Sequence, residues 1–104
     1  MEPQIYTHAL WRVKPGSEEA FIQAWSELAE AFSSLDRPPL WGTLIRSSAQ
    51  PNLFYSFGPW QDEADVERMR VDPAAQGALA ALVELCEEAT PISFHLVRHV
   101  DVKK

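Results

Sequence analysis

The segment IYTHALWRVKPGSEEAF, residues 5–21, decides the fold. Its first nine residues alternate. Ile5, Thr7, Ala9, Trp11 and Val13 fall on one side of an extended chain and Tyr6, His8, Leu10 and Arg12 on the other, the two-residue period of a strand. Lys14-Pro15-Gly16 breaks that strand, because proline withdraws a backbone donor and glycine accepts turn geometry. Ser17 follows as an N-cap, with Glu18 and Glu19 in the first turn where a helix favours negative charge. Spacings of three and four then put Phe21, Trp25, Leu28 and Phe32, with Ile22 and Ala29 beside them, on one face of that helix.

Downstream, Pro38-Pro39 excludes helix and central strand alike and marks a loop. Leu40 to Ser47 reads as a second strand, Gln50-Pro51-Asn52 as a tight connection and Leu53 to Gly58 as a third strand, antiparallel to the second. Asp62 or Gln61 caps a helix from Glu63 to Arg70, and Asp72-Pro73 starts another, with Asp as N-cap and Pro at the first helical position. That helix carries Leu79, Leu82, Val83, Cys86 and Ala89 on its apolar face and ends at Thr90-Pro91. A last strand is expected from Ile92 to Val102, with Ile92, Phe94, Leu96, Val100 and Val102 toward the helices. Ser93, His95, Val97, His99 and Asp101 then face away, and Lys103 and Lys104 trail as a frayed end. The order β-α-β-β-α-β belongs to the α+β class: a ferredoxin-like four-stranded antiparallel sheet with its helices on one face. Right-handed crossovers place the first and third strands centrally and the fourth beside the first.

The 104 residues suit a single domain, 1–104, and nine Lys and Arg against fifteen Asp and Glu leave a formal charge of -6. A phosphate backbone would be repelled, so no nucleic-acid partner is expected. The lone Cys86 allows no intrachain disulfide and fits a reducing compartment. Met1-Glu2-Pro3-Gln4 lacks the basic flank and apolar core of a secretion signal, and no apolar run approaches a membrane span. A cytoplasmic location and no membrane partner are the expectation. The opening strand's odd-numbered residues are the more apolar set and are assigned to the helices. Its other face, Tyr6, His8, Leu10 and Arg12, is too aromatic to stay bare in water, which predicts a two-fold homodimer packed sheet against sheet.

The exit of the first strand through VKPGSEEAF (13–21), and YSFGPWQDEA (55–64), where a strand gives way to a helix at a tryptophan, resemble the dimeric α+β barrel superfamily. Among its members the chain is most similar to the antibiotic biosynthesis monooxygenase (ABM)-like domains, along nearly its whole length. The resemblance implies a dimeric α+β barrel. It also implies a cofactor-independent monooxygenase, with no bound cofactor, acting on a small aromatic or polycyclic compound held between sheet and helices. The same fold serves isomerases, lyases and haem-degrading enzymes, so a non-catalytic small-molecule-binding or scaffold dimer and an isomerase or lyase stand as alternatives. Haem is disfavoured: the second helix carries no histidine, and Ala78 and Leu79 occupy the corresponding positions.

Against that background the helix-side face is expected to offer Thr7, Trp11, Trp25, Tyr55, Phe57, Trp60 and Phe94 as substrate-binding residues. Large aromatics also simply fill thin cores. The catalytic residues are not identified; Tyr55, Trp60, His8 and Arg98 are the candidates. Tyr55 is the one phenol expected inside. Trp60 matches the family's tryptophan. Arg98 interrupts the apolar side of the last strand, where its guanidinium could stabilise an anion or merely cover apolar surface with its stem. His8, His95 and His99 are general-base candidates by chemistry, but parity sends all three away from the helices, where interface hydrogen bonding suits them better than a metal. No phosphate loop, Ser-His-Asp order, CxxC pair or HExxH helix is present.

Overall fold

The strand β1 (Ile5–Val13) is the axis of the molecule, pairing antiparallel with β3 (Leu53–Trp60) on one side and β4 (Cys86–His95) on the other. With β2 (Thr43–Arg46) at the far edge, the order is β2-β3-β1-β4, as right-handed crossovers require. The structure, a computed structural model, describes residues 5–103; the readings made on Met1-Glu2-Pro3-Gln4 and Lys104 lie outside it. Helices α1 (Glu18–Ser33), α2 (Glu63–Val71) and α3 (Pro73–Glu84) cover one face of the sheet.

The punctuation read from the sequence does its work locally. Gly16 turns the chain at φ 92°, a conformation that costs glycine little. Ser17 is the N-cap of α1 but its hydroxyl makes no capping bond; the Glu18 carboxylate instead accepts from the Gly16 N–H. Asp62 and Asp72 cap α2 and α3 by accepting from the Asp65 and Ala75 amides, which satisfies donors that a helix start leaves unpaired. No helix among the described residues is long and apolar enough to cross a membrane.

The odd-numbered side of β1 meets the helices as expected. Ala9, Trp11 and Val13 pack with Phe21, Leu28, Phe54 and Leu82, while Ile5 and Trp60 pack with Val66, Met69 and Ala75. On α1, Ala24 rather than Ala29 joins this layer, and Ala29 is exposed.

The end of the chain departs from the reading. Helix α3 stops at Glu84 rather than running to Ala89, and β4 begins at Cys86 and ends at His95. The reason is tertiary: the Lys14 amide donates to the Leu85 carbonyl and Val13 faces Cys86, so β1 captures the segment as its edge partner. Pro91, read as a helix stop, lies within this edge strand, where a missing N–H is tolerated. The register places His95, the last residue of β4, opposite Ile5. Leu96 to Lys103 therefore lies outside the sheet, with Arg98 and His99 exposed and Val97 92% exposed. Strand parity shifts as well: Ile92 and Phe94 border the bare sheet face, whereas Ser93 and His95 reach α2 through Arg70 and Glu63.

Candidate functional site

A cavity of about 570 Å³ lies on the helix side of the sheet. That volume falls in the range of pockets that hold small organic molecules. Trp25, Leu28 and Phe32 of α1, Met69 of α2 and Leu79 and Val83 of α3 supply its apolar wall. The loop before β2 closes another side with Pro39, Trp41 and Gly42. This loop is held in two ways. Gly58 lets the Trp41 backbone approach so closely that a Cβ there would collide with the Trp41 carbonyl oxygen. The loop's other end is fixed by Arg37, whose Nε donates to Asp65 at 2.8 Å and whose NH2 donates to Gln61 at 2.9 Å.

Asp65 is 1% exposed. Burial pushes its carboxyl pKa up, but Arg37 and Arg68 outweigh burial and hold it below the ordinary value. Only Oδ1 receives these guanidiniums, Arg68 at 2.6 Å; Oδ2 is buried without a hydrogen-bond partner among the described residues.

The floor of the cavity carries two hydroxyls, each engaged by an indole. Trp11 Nε1 donates to Ser56 Oγ at 2.9 Å, and Trp60 Nε1 donates to Thr7 Oγ1 at 2.9 Å. Both tryptophans are buried, so each hydroxyl satisfies a donor that water cannot reach. A hydroxyl that accepts in this way keeps its own proton to donate elsewhere. Ser56 was not singled out from the sequence. Its signal was parity, since it shares its side of β3 with Phe54 and Trp60. At the end of the cavity near Ser93, Arg70 reaches from α2 to β4, its NH2 donating to Ser93 Oγ at 3.0 Å. Cys86 also borders the cavity, its thiol pKa pushed up by burial and partly offset by Lys14.

Thr7, Trp11, Trp25 and Trp60 thus stand together on the expected face. Tyr55, Phe57 and Phe94 do not. The β1–β3 register pairs Leu10 with Tyr55 and His8 with Phe57, so these rings share the bare face with the even-numbered residues of β1. There His8 stacks on Phe57 (centroids 5.7 Å) and meets Tyr55 and Phe94 edge-on at 5.5 and 5.0 Å. His8 and Phe57 also border the helix-side cavity, but their rings engage each other across the sheet. The three histidines do not assemble: His95 lies 3.8 Å from Glu63, and His99 lies 3.0 Å from Asp101 in the exposed tail. Arg98 is in that tail too, away from the helix layer where it was expected. No group of three or more His, Cys, Asp or Glu among the described residues is placed to hold a metal.

Compared with known proteins, residues 4–81 match the antibiotic biosynthesis monooxygenase family. Among solved structures, the chain is similar to a variant of SnoaB, a cofactor-independent oxygenase from Streptomyces nogalater. The two share 18% identity and a TM-score of 0.84, covering 96% of this chain and 98% of that one. A conserved protein from Methanosarcina mazei matches at 16% identity and TM-score 0.79, over 88% of this chain and 91% of its own. An antibiotic biosynthesis monooxygenase matches at 16% identity and TM-score 0.77, over 90% and 99%. Identities this low carry the fold. A search of curated proteins gave no match.

Proposed function

The chain belongs to the antibiotic biosynthesis monooxygenase family, and from that premise we propose that it binds a small aromatic or polycyclic compound in the helix-side cavity and oxidises it with dioxygen, without a bound cofactor. The observation that carries this reading is the cavity itself, apolar and tryptophan-lined with two proton-bearing hydroxyls on its floor. The suited substrate has a methylene made acidic by neighbouring rings and a carbonyl. Loss of one proton gives a phenolate-like anion, which passes an electron to dioxygen. The two radicals join at carbon, and the peroxide sheds water to leave a new carbonyl. The methylene gives up two hydrogens and gains one oxygen atom, and the second oxygen leaves as water, so the substrate supplies every electron. The protein's part is to exclude water and to donate hydrogen bonds from Thr7 and Ser56 to the oxygen that gains charge.

The reading includes a homodimer. The bare sheet face gathers Tyr55, Phe57, Ile92 and Phe94 around His8, with Tyr55 43% and Phe94 49% exposed, an aromatic surface that a second copy would cover.

A non-catalytic binding dimer is the second reading, favoured by one observation. The carboxylates bordering the cavity, Glu87 and Glu88, are exposed, and the half-buried His8 ring that also borders it is stacked on Phe57 toward the bare face, so no carboxylate or imidazole is buried in the cavity's wall among the described residues. Oxygen uptake with anthrones and quinols separates the two. The oxygenase reading expects one dioxygen consumed per anthrone, a lower rate in Trp60→Phe, and an unchanged rate in Tyr55→Phe, whose ring is on the far face. Binding without uptake across the panel leaves the binding module.

A further inference from the structure

We propose that Arg70 makes this cavity selective for ring compounds bearing a carboxylate; this deepens the reading above and rests on it. Arg70 is the one cationic side chain among the described residues that border the cavity, whose remaining wall is largely apolar. Its position is fixed from three directions. The Gln76 side chain donates to the Arg70 carbonyl at 2.9 Å, which ties the end of α2 to α3; Arg70 NH2 donates to Ser93 on β4; and Glu67 lies 3.4 Å from NH1. Ser93 is a neutral acceptor and Glu67 is an exposed carboxylate whose attraction water screens, so the pair leaves the guanidinium's charge poorly compensated. A guanidinium has five N–H donors, and one of them is engaged in a hydrogen bond, to Ser93. The remaining donors form the planar fork that matches a carboxylate.

The other end of the cavity is bordered by Glu87, an exposed carboxylate. Glu88, opposite Arg12 in the sheet, lies on the bare face with its carboxylate 3.5 Å from the Arg12 guanidinium, while Ser93 is opposite Thr7 on the helix side. An anionic ring compound is thus held by its carboxylate at the Ser93 end, where Arg70 reaches β4. Its rings then lie beside the Thr7 and Ser56 hydroxyls with the carboxylate at Arg70. The charged groups that compete there are Glu67 and Glu63 on α2, the latter already near His95.

The test compares anthracene-2-carboxylate with anthracene-2-carboxamide, alike in shape and differing in charge, by energy transfer from the protein's tryptophans. Wild type should hold the carboxylate about tenfold more tightly, as a charge-assisted bidentate contact at a partly exposed site allows. The ratio should shrink as salt rises. Arg70→Gln should bring it near one, Arg70→Lys should keep part of it, and Glu67→Gln should increase it by freeing the guanidinium. Equal binding of the two probes by wild type, or a ratio that survives Arg70→Gln in a folded protein, overturns the assignment and leaves the cavity reading standing. Failure of both probes to bind overturns the cavity reading, and this inference with it.

Discussion

Replacing Ser56 with alanine removes one oxygen atom and leaves a buried indole without an acceptor. Trp11 is 3% exposed, and its N–H has Ser56 Oγ as its partner at 2.9 Å from across the β1–β3 pair. The hydrogen bond itself is worth about 1 kcal/mol net, but an orphaned buried donor adds its own desolvation cost, so the loss should reach about 1–3 kcal/mol. For a domain of this size each kcal/mol moves the midpoint of thermal unfolding by about 4–8 °C, so a fall of roughly 10 °C is expected. Thermal and urea melts at one fixed protomer concentration measure it, because association would make the midpoint concentration-dependent. Trp11→Phe removes the donor instead and leaves the serine hydroxyl able to use water in the cavity. In the double variant no unpaired indole remains, so the two losses should fall short of adding by about 1 kcal/mol or more. Losses that add within about 0.5 kcal/mol would show that the two groups are not energetically coupled, and the pairing would cease to explain why a serine stands between Phe54 and Trp60.

The other expectations follow from the same contacts. Gly58→Ala should cost about 1–3 kcal/mol and weaken ligand binding, because its Cβ would meet the backbone of Trp41 and Gly42; Gly42→Ala, whose Cβ would stand 3.7 Å from the Trp25 ring in ordinary contact, should be nearly neutral in the same melts. Asp65 has a lowered folded pKa, so its contribution is fully present above about pH 4, the unfolded value, and is lost as pH falls through the folded one. Asp65→Asn should therefore lose about 1–2 kcal/mol at neutral pH, a figure kept small by its half-exposed arginine partners, and should show a flatter acid limb in urea melts from pH 6 to 2; an unchanged limb would mean that another carboxylate governs acid unfolding. On the bare face, Phe94→Asp should convert a species of twice the chain mass to monomer in sedimentation with its helices retained, since an unpaired buried charge costs several kcal/mol. A wild-type chain that stays monomeric at high concentration contradicts the covered-sheet reading.

Much of the architecture was legible because its signals are local or periodic. The alternation of Ile5 to Val13, the break at Lys14-Pro15-Gly16 and the caps Asp62 and Asp72-Pro73 each report a constraint carried by neighbouring residues. The second strand was read too long, from Leu40, because nothing local says that the Leu40 amide bonds instead to the Pro59 carbonyl across a loop. The segment Leu82 to Ala89 was read as helix because Leu82, Val83, Cys86 and Ala89 also fit a helical face. What decides its state is pairing with β1, a contact far away in sequence that no window around it contains.

The same blindness rearranged the candidate site. In β3 both sides look apolar: Leu53, Tyr55, Phe57 and Pro59 on one, Phe54, Ser56, Gly58 and Trp60 on the other. Hydrophobicity alone favours the first set for the core. The second set is buried because its small members are what the layer above requires: Ser56 accepts the Trp11 indole and Gly58 admits the Trp41 backbone. Packing under the helices therefore selects by shape and donor pairing, and the larger rings Tyr55 and Phe57 go to the open face beside His8. The consequence for chemistry is specific. With the phenol on the far side of the sheet and the imidazole stacked on Phe57 there, the polar groups under the helices are hydroxyls, the Cys86 thiol and one guanidinium, with Glu87 exposed at the rim; these can orient and stabilise an anion but offer no buried carboxylate or imidazole as a base. A guest that reacts here must itself be acidic enough to ionise, which points the search for substrates toward anthrone-like and phenolic compounds.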